Sequence, residues 1–369
     1  MSDTIAYLKT TMNKIHIQSI TKKYTVYFQK NTQFLSELAN YPYSLFIIDK
    51  NVSKYHPNIE TQILSSSHSK TITLSVNEYK KTLRTAIYLY DKIMQFSHKR
   101  NTYLISLGGG ILQDLCGFIA STLYRGIPWI IIPTTLLSQA DSCIGGKNAL
   151  NHQKYKNMIG TFYPPDQVHV YPYFLSTLTP KNYYSGLGEI AKAHIMHSEQ
   201  ATQQLIQQLP KLAHRDTTTL QNAIQLSLKL KKTYIEKDEL DLGPRNMLNY
   251  GHCFGHAIET TTNYRIPHGQ AVILGIILSN LYAKNIGKLL PSKEQYIRTH
   301  LLLPLLQKHT YTIPIQPTVD AMKQDKKNTG NGLSLIILQN NHELLKTTIS
   351  PDIATQLLQQ LPSLISPSI

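Results

Sequence analysis

The chain has 369 residues, with 37 Lys+Arg against 22 Asp+Glu and a formal net charge of +15. At 41% hydrophobic and 16% charged residues it is no disordered polyelectrolyte, and its length predicts about two domains. Three scattered cysteines, Cys116, Cys143 and Cys253, exclude a disulfide framework and a four-cysteine zinc site, and they predict a reducing, cytoplasmic setting. The opening MSDTIAYLKTTMN shows no signal-peptide pattern. Residues 15–20 and 24–28 read as strands, in the manner of a hairpin. Residues 44–48, 102–107 and 128–132 are continuous apolar runs that stop at turn residues, as strands buried on both faces do. The run over 127–137 is too short to cross a bilayer and carries Pro128 and Pro133, so no membrane partner is expected. From about Thr179-Pro180 the pattern turns helical, over 183–198, 203–213, 217–237, 246–262 and 270–283. Residues 333–338 read as a late strand and the tail from Ile353 as a helix. The expected architecture is an α/β, Rossmann-like nucleotide-binding domain over 1–180, followed by a mainly α-helical metal- and substrate-binding domain over 181–369.

Three segments carry chemistry. Gly108-Gly109-Gly110 follows a strand and opens a helix containing Asp114, where backbone N–H groups can approach a phosphate; a plain tight turn reads equally well from spacing. Asp49 and Asn51 close an earlier strand, suited to ribose hydroxyls or to a simple turn. The stretch RGIPWIIIPTTLLSQADSCIGGKNALNHQKYKN places Arg125, Asp141, Lys147, Lys156 and Asn157 beside glycine turns and apolar strands, as anion binding requires. Thr134 and Thr135 sit at its strand end.

The third segment is metal-like. Glu189 and Lys192 share a helical face, and His252 and His256 lie four apart in LNYGHCFGHAIE, with His268 following in IPHGQAV. One carboxylate and two imidazoles would make a three-ligand zinc site with an open position. Ordinary packing of an i,i+4 histidine pair is the alternative on spacing alone. Glu259 is near enough in sequence to hold one of these imidazoles in place. The +15 charge leaves nucleic acid open as a partner, but no basic stripe with interleaved aromatics and no nucleic-acid module is present, so none is expected.

Together the blocks GGGILQDLCGF, RGIPWIIIPTTLLSQADSCIGGK, KNMIGTFYPP, GEIAK, the Lys231 to Arg245 spacing, RNMLNYGHCFGH, PHGQAV and DKK run in the order of one family. The chain resembles the 3-dehydroquinate synthases, sugar phosphate cyclases of the shikimate pathway, over most of its length. The resemblance implies a metal, Zn2+ or Co2+, on Glu189, His252 and His268. It implies NAD at Asp49, Lys50, Asn51, Asn77, Glu78, Tyr79, Lys80, Gly109, Gly110, Ile111, Leu112, Gln113, Asp114, Thr134, Thr135, Lys147, Lys156, Phe174, Leu175, Ser176 and Thr177. Catalytic residues would be His256, Lys192, Lys231 and Asn249. Substrate contacts would come from Arg125, Asp141, Lys147, Asn157, Arg245 and the Lys326-Lys327 pair. Arg125 matches an arginine that reaches into the neighbouring subunit's site, which implies a homodimer.

The implied reaction converts 3-deoxy-D-arabino-heptulosonate 7-phosphate to 3-dehydroquinate and phosphate, with NAD regenerated in each turnover. Three positions depart from the family pattern: Gln113 where Gly is usual, Asn77 for an acidic residue, and Gln270 for Glu. The competing expectations are another sugar phosphate cyclase and a metal-dependent alcohol or glycerol dehydrogenase of the same fold. Lys231 and Arg245 favour a substrate bearing a carboxylate over either.

Overall fold

The computed structural model describes residues 14–96, 101–153, 155–307, 312–324 and 332–365. The chain forms two compact units. The first takes the described residues up to Thr177 together with Lys232–Leu240; the second takes Leu178–Lys231 and the residues from Asp241 onward.

In the first unit, β1 (Lys14–Gln18), β2 (Lys23–Phe28), β3 (Ser44–Asp49), β4 (Ser69–Leu74), β5 (Tyr103–Gly108) and β6 (Trp129–Pro133) precede a two-stranded antiparallel hairpin, β7 (Lys147–His152) with β8 (Tyr155–Phe162). β9 (Gln167–Val170) completes a seven-stranded sheet of order β1-β2-β9-β6-β5-β3-β4. All neighbours pair in parallel except the β1–β2 hairpin at one edge. β3, β5 and β6 are buried nearly throughout, which is why they read as unbroken apolar runs. Helices α1 (Gln33–Ala39), α2 (Lys50–Tyr55), α3 (Pro57–Leu64), α4 (Leu83–Met94) and α5 (Gly110–Thr122) connect them. Phe34, Leu35 and Leu38 of α1 and Ile63 of α3 pack with Phe46, Ile48, Ile105, Leu107, Ile130 and Ile132 from one face of the sheet. The chain leaves β3 toward β4 on one side and returns to β5 on the other. Such a reversal, here at the carboxyl ends of β3 and β5, is where open α/β sheets bind ligands.

The second unit contains α6 (Pro180–His197), α7 (Glu199–Ala213), most of α8 (Thr217–Lys237), α9 (His252–Thr261), α10 (His268–Asn285), α11 (Pro291–Ile297) and α12 (Ile315–Lys323). A hairpin of β10 (Leu333–Leu338) and β11 (Leu344–Ile349) and the final helix α13 (Pro351–Ile365) follow. Thr179 caps α6 by accepting from the Asn182 amide at 3.3 Å, with Pro180 in the first turn. α10 is apolar on every side and buried without a break from Gly269 to Leu281, the mark of a central helix.

The helix expected over 246–262 is two elements. A 3-10 turn, Pro244–Asn249, ends before Gly251, whose φ of +77° restarts the chain as α9 at His252. A side chain could not follow: a Cβ on Gly251 would lie 2.7 Å from Ile276 and 2.8 Å from the Val272 carbonyl.

The segment Lys232–Leu240 is tied to the β1–β2 turn. Glu236 accepts from the Gln18 amide at 2.8 Å, and the buried Glu239 accepts from the Ile20 amide at 2.6 Å and from the Ser19 hydroxyl. Among the described residues, no helix is long and apolar enough to cross a membrane.

Candidate active site

The second unit holds a buried carboxylate ringed by imidazoles. Glu189, on α6, is 2% exposed, and neither of its oxygens accepts an aligned hydrogen bond. Its neighbours are cationic or metal-binding in type: Lys192 Nζ at 2.6 Å from Oε2, His268 Nε2 at 3.2 Å and His252 Nε2 at 3.7 Å from Oε1. The Lys192 ion pair offsets part of the cost of burying this carboxylate, and since no aligned hydrogen bond satisfies its oxygens, a bound cation would offset more. The imidazoles are oriented for that. His252 Nδ1 donates to the Tyr250 carbonyl at 3.1 Å, and His268 Nδ1 pairs with Glu259 Oε2 at 3.0 Å. Each Nε2 is thereby turned toward Glu189, the second-partner pattern of histidine metal ligands. Ligand atoms of Glu189, His252 and His268 all lie within 4.8 Å of one another. The residues therefore fit a divalent metal.

Two helices place these groups by contact of bare backbone. A Cβ on Gly188 would sit 2.2 Å from the Gly269 carbonyl oxygen, and one on Gly269 would sit 1.7 Å from that of Ser185. Only glycine lets α6 and α10 meet so closely, and the residues beside these glycines are Glu189 and His268. The Gly269 amide also donates to the Ser185 hydroxyl at 3.0 Å.

Charge follows the geometry. Burial alone would raise the Glu189 carboxyl, but Lys192, His268 and His252 outweigh it and hold it well below the usual carboxylate range. Burial, aided by Lys192, drives His252 well below an ordinary imidazole, so it is neutral and able to ligate. Burial works against charging His268, yet Glu259 and Glu189 on its two sides push it up to about 10.

The remaining predicted groups of this unit are spread along its sequence. Lys192 Nζ also donates to the Leu248 carbonyl at 3.0 Å. Asn249 closes the 3-10 turn and donates to the Asn246 carbonyl at 2.9 Å, while Arg245 in the same turn is buried. The exposed His256 ring lies 5.0 Å from that of His252 and 5.8 Å from that of His268. Lys231 is half-buried near the end of α8. Gln270 Nε2 donates to the Tyr184 and Leu305 carbonyls, each at 3.1 Å, so this departure from the family pattern serves packing. Lys326 and Lys327 lie outside the described residues.

In the first unit, the carboxyl ends of the parallel strands carry the expected cofactor groups. β5 runs into Gly108-Gly109-Gly110, and Gly109 caps α5. A Cβ on Gly109 would meet the Thr135 methyl at 2.9 Å, and one on Gly110 the Ser142 hydroxyl at 3.2 Å. The glycine turn is thus pressed against the turn after β6 that holds Thr134 and Thr135. Asp49 ends β3 and caps α2 by accepting from the Asn51 amide at 2.9 Å; burial raises its carboxyl. Phe174 and Leu175 are core residues, whereas Ser176 and Thr177 are exposed, with Thr177 Oγ1 3.1 Å from His56 Nε2. Gln113 is buried; its Oε1 accepts from the Ser142 hydroxyl at 3.0 Å, and its Nε2 is an unpartnered buried donor under the glycine turn.

Lys147 and Asn157 stand on the β7–β8 hairpin, with Lys156 3.9 Å from Glu78. Arg125 is exposed on a left-handed turn, φ +64°, and the half-buried Asp141 lies in a π-helical turn, Ser138–Ser142. Asn77, Glu78, Tyr79 and Lys80 form a capped 3-10 turn in which Asn77 Oδ1 accepts from the Lys80 amide at 3.0 Å. Lys80 turns outward to the Ser75 carbonyl, and the buried cation is the next residue, Lys81. Lys81 Nζ donates to Asp114 Oδ2 at 2.8 Å and to Asn157 Oδ1 at 2.6 Å. Sequence reasoning passed over it because adjacent lysines in a turn show no periodicity. The signal available was its place immediately before the Thr82 cap of α4.

Residues 71–185 match the family model for the 3-dehydroquinate synthase N-terminal domain, and residues 186–328 match that for the C-terminal domain. A 3-dehydroquinate synthase of Clostridium tetani is 36% identical over 337 residues, 88% of each chain. One of Enterococcus faecalis is 37% identical over 305 residues, 79% of this chain and 82% of its own. Among solved structures, a 2-deoxy-scyllo-inosose synthase complexed with carbaglucose-6-phosphate, NAD+ and Co2+ superposes with a TM-score of 0.85 at 20% identity, covering 94% of this chain and 99% of its own. A glycerol dehydrogenase from Schizosaccharomyces pombe reaches only 0.61 at 14% identity, with 90% and 87% covered. The chain belongs to the 3-dehydroquinate synthase family.

Proposed function

We propose that the chain is a phosphate-eliminating cyclase that converts 3-deoxy-D-arabino-heptulosonate 7-phosphate to 3-dehydroquinate and phosphate. The observation that carries this reading is the Glu189, His252 and His268 cluster, a buried carboxylate without an aligned hydrogen bond facing two oriented imidazoles, in a chain of this family. A divalent metal bound there supplies Lewis acidity at a substrate hydroxyl. NAD, held at the glycine turn and the Thr134-Thr135 turn, supplies a reversible hydride acceptor; the unpartnered Gln113 donor and the close-packed glycines fit a pyrophosphate-binding turn.

The chain's own residues do the rest. Arg245 and Lys231 grip the substrate carboxylate, the arginine through a two-pronged contact. Asn249, Lys147 and Asn157 donate to phosphate oxygens, joined by one lysine of the Lys326-Lys327 pair. Lys192, fixed by Glu189 and the Leu248 carbonyl, presents its remaining proton to a substrate oxygen. His256, exposed and beside the other two imidazoles, moves protons at the hydroxyl being oxidised. Arg125 stands exposed on its left-handed turn and serves the site of a second subunit, so the working form is a homodimer. The three free cysteines suit the cytoplasm.

The test is phosphate release from the heptulosonate phosphate with a sub-stoichiometric amount of NAD. Release beyond one turnover per NAD is expected, with no net NADH absorbance, and it stops with a chelator and returns with Zn2+ or Co2+. Stoichiometric NADH without phosphate would mark a dehydrogenase and overturn the reading.

A further inference from the structure

Lys81 is a buried ammonium that touches two groups with different assignments. Its side chain lies between Asp114 of α5, on the cofactor side, and Asn157 of β8, on the substrate-phosphate side, at 2.8 and 2.6 Å. The backbone around it is fixed. The Lys81 carbonyl accepts from the Asn151 amide at 2.7 Å, and Thr82 forms an isolated bridge to Asn151. Asn157 is held as well: its amide N–H donates to Asn151 Oδ1 at 3.0 Å, and its φ is +53°. Asn151 Nδ2 in turn donates to the carbonyl and the carboxylate of Glu78, at 3.1 and 2.9 Å.

A primary amide has one accepting and one donating end, and rotation by half a turn exchanges them. A cation on Oδ1 removes that freedom, because the flipped amide would point –NH2 at –NH3+. Nδ2 of Asn157 is therefore turned away from Lys81, on a side chain that is exposed, with no protein partner among the described residues. Asn157 presents a pure donor, the polarity an anionic oxygen needs. Asp114 neutralises the ammonium, so what Lys81 contributes at this point is orientation more than net positive charge.

We propose that Lys81 is a positioning residue for phosphate: it locks the Asn157 amide with its N–H groups outward as donors to the substrate's phosphate oxygen. The proposal deepens the reading above and rests on it. It places Lys81 upstream of Asn157, so the two act as one unit.

The test measures binding of inorganic phosphate to the full chain loaded with NAD and Zn2+, by calorimetry, for Lys81→Gln, Asn157→Ala and the double variant. Each single change is expected to weaken phosphate about tenfold, the weight of one hydrogen bond to a charged group. The double variant is expected to be no weaker than either single one, since a coupled pair is not additive. Losses that multiply in the double variant would show that Lys81 and Asn157 act on phosphate independently, and would overturn the proposal. If Lys81→Gln does not fold, Asn157→Asp decides in its place. A carboxylate there pairs with Lys81 but offers no N–H, so phosphate affinity is expected to fall more than tenfold with NAD affinity unchanged. Unchanged phosphate affinity in that variant would equally overturn the proposal. A failure of the unaltered holoenzyme to bind phosphate would instead sink the cyclase reading itself.

Discussion

His268 lies between two carboxylates, Glu189 on one ring nitrogen and Glu259 on the other, and holds its proton up to about 10. A metal needs the neutral ring, so binding at pH 7.5 must displace that proton. Calorimetric titration with Zn2+ in two buffers of different ionisation enthalpy is expected to report about one proton released per metal from this histidine. Below pH 10 the apparent metal affinity then rises about tenfold per pH unit. No proton release would mean that His268 is not a ligand. At the same scale lies the limit of what could be read without coordinates. Residue type and helical spacing singled out Glu189 and the His252–His256 pair, but only the family resemblance selected His268 over His256, because His268 opens a separate helix, α10, whose placement against α6 no local spacing encodes. Lys81 was not legible. It follows Lys80 in a short 3-10 turn, and which of two neighbouring lysines faces inward depends on tertiary contacts with Asp114 and Asn157 that no local pattern encodes.

α6 and α10 meet at Gly188 and Gly269 with no side chain between them. Gly269→Ala must push the helices apart, since its Cβ would fall 1.7 Å from a backbone oxygen, and overpacking against backbone has no cheap relaxation. The expected cost is about 3 kcal/mol in chemical denaturation, the upper end for overpacking, together with loss of metal binding as Glu189 and His268 separate. An alanine variant that keeps both stability and metal would show that the helices are free to slide. The long elements followed from the sequence: buried strands as continuous apolar runs, and α6, α7, α8 and α10 from their period. β4, β9, β11 and the β7–β8 hairpin did not. β9 has four residues, too few for any period. β8, YKNMIGTF, mixes polar and apolar residues without a period of two and has no buried position, so its pairing with β7 is set by neighbours and not by an apolar stripe. The break at Gly251 was hidden for a related reason: apolar Met247, Tyr250, Phe254 and Ala257 recur at helix-like spacing across it, although the chain turns there.

For the molecule as a whole, acid is expected to weaken both units over one pH window. His169 in the first unit is packed against Tyr27 and Phe34, and burial lowers it to about 4. His194 in the second is lowered to about 4 by burial, against the opposing effect of its bond to the Ile190 carbonyl. The unfolded chain, with histidines near 6.5, binds more protons than the native one between pH 6.5 and 4, so stability falls as pH drops through that range. The slope is up to about 1.4 kcal/mol per pH unit for each histidine, to be read from urea melts at pH 7.5 and pH 5. Equal midpoints would show that neither imidazole is kept neutral by the fold. The +15 net charge has no comparable reading; only a minority of the basic residues belong to the proposed site. The excursion Lys232–Leu240, which joins the first unit through Glu236 and Glu239, bears on how such a gene can change. Because each unit is drawn from two separate stretches of chain, no single recombination event can exchange either unit intact. A chimaera that keeps both whole needs crossovers after Thr177, after Lys231 and after Leu240, so the family is expected to inherit the two units together.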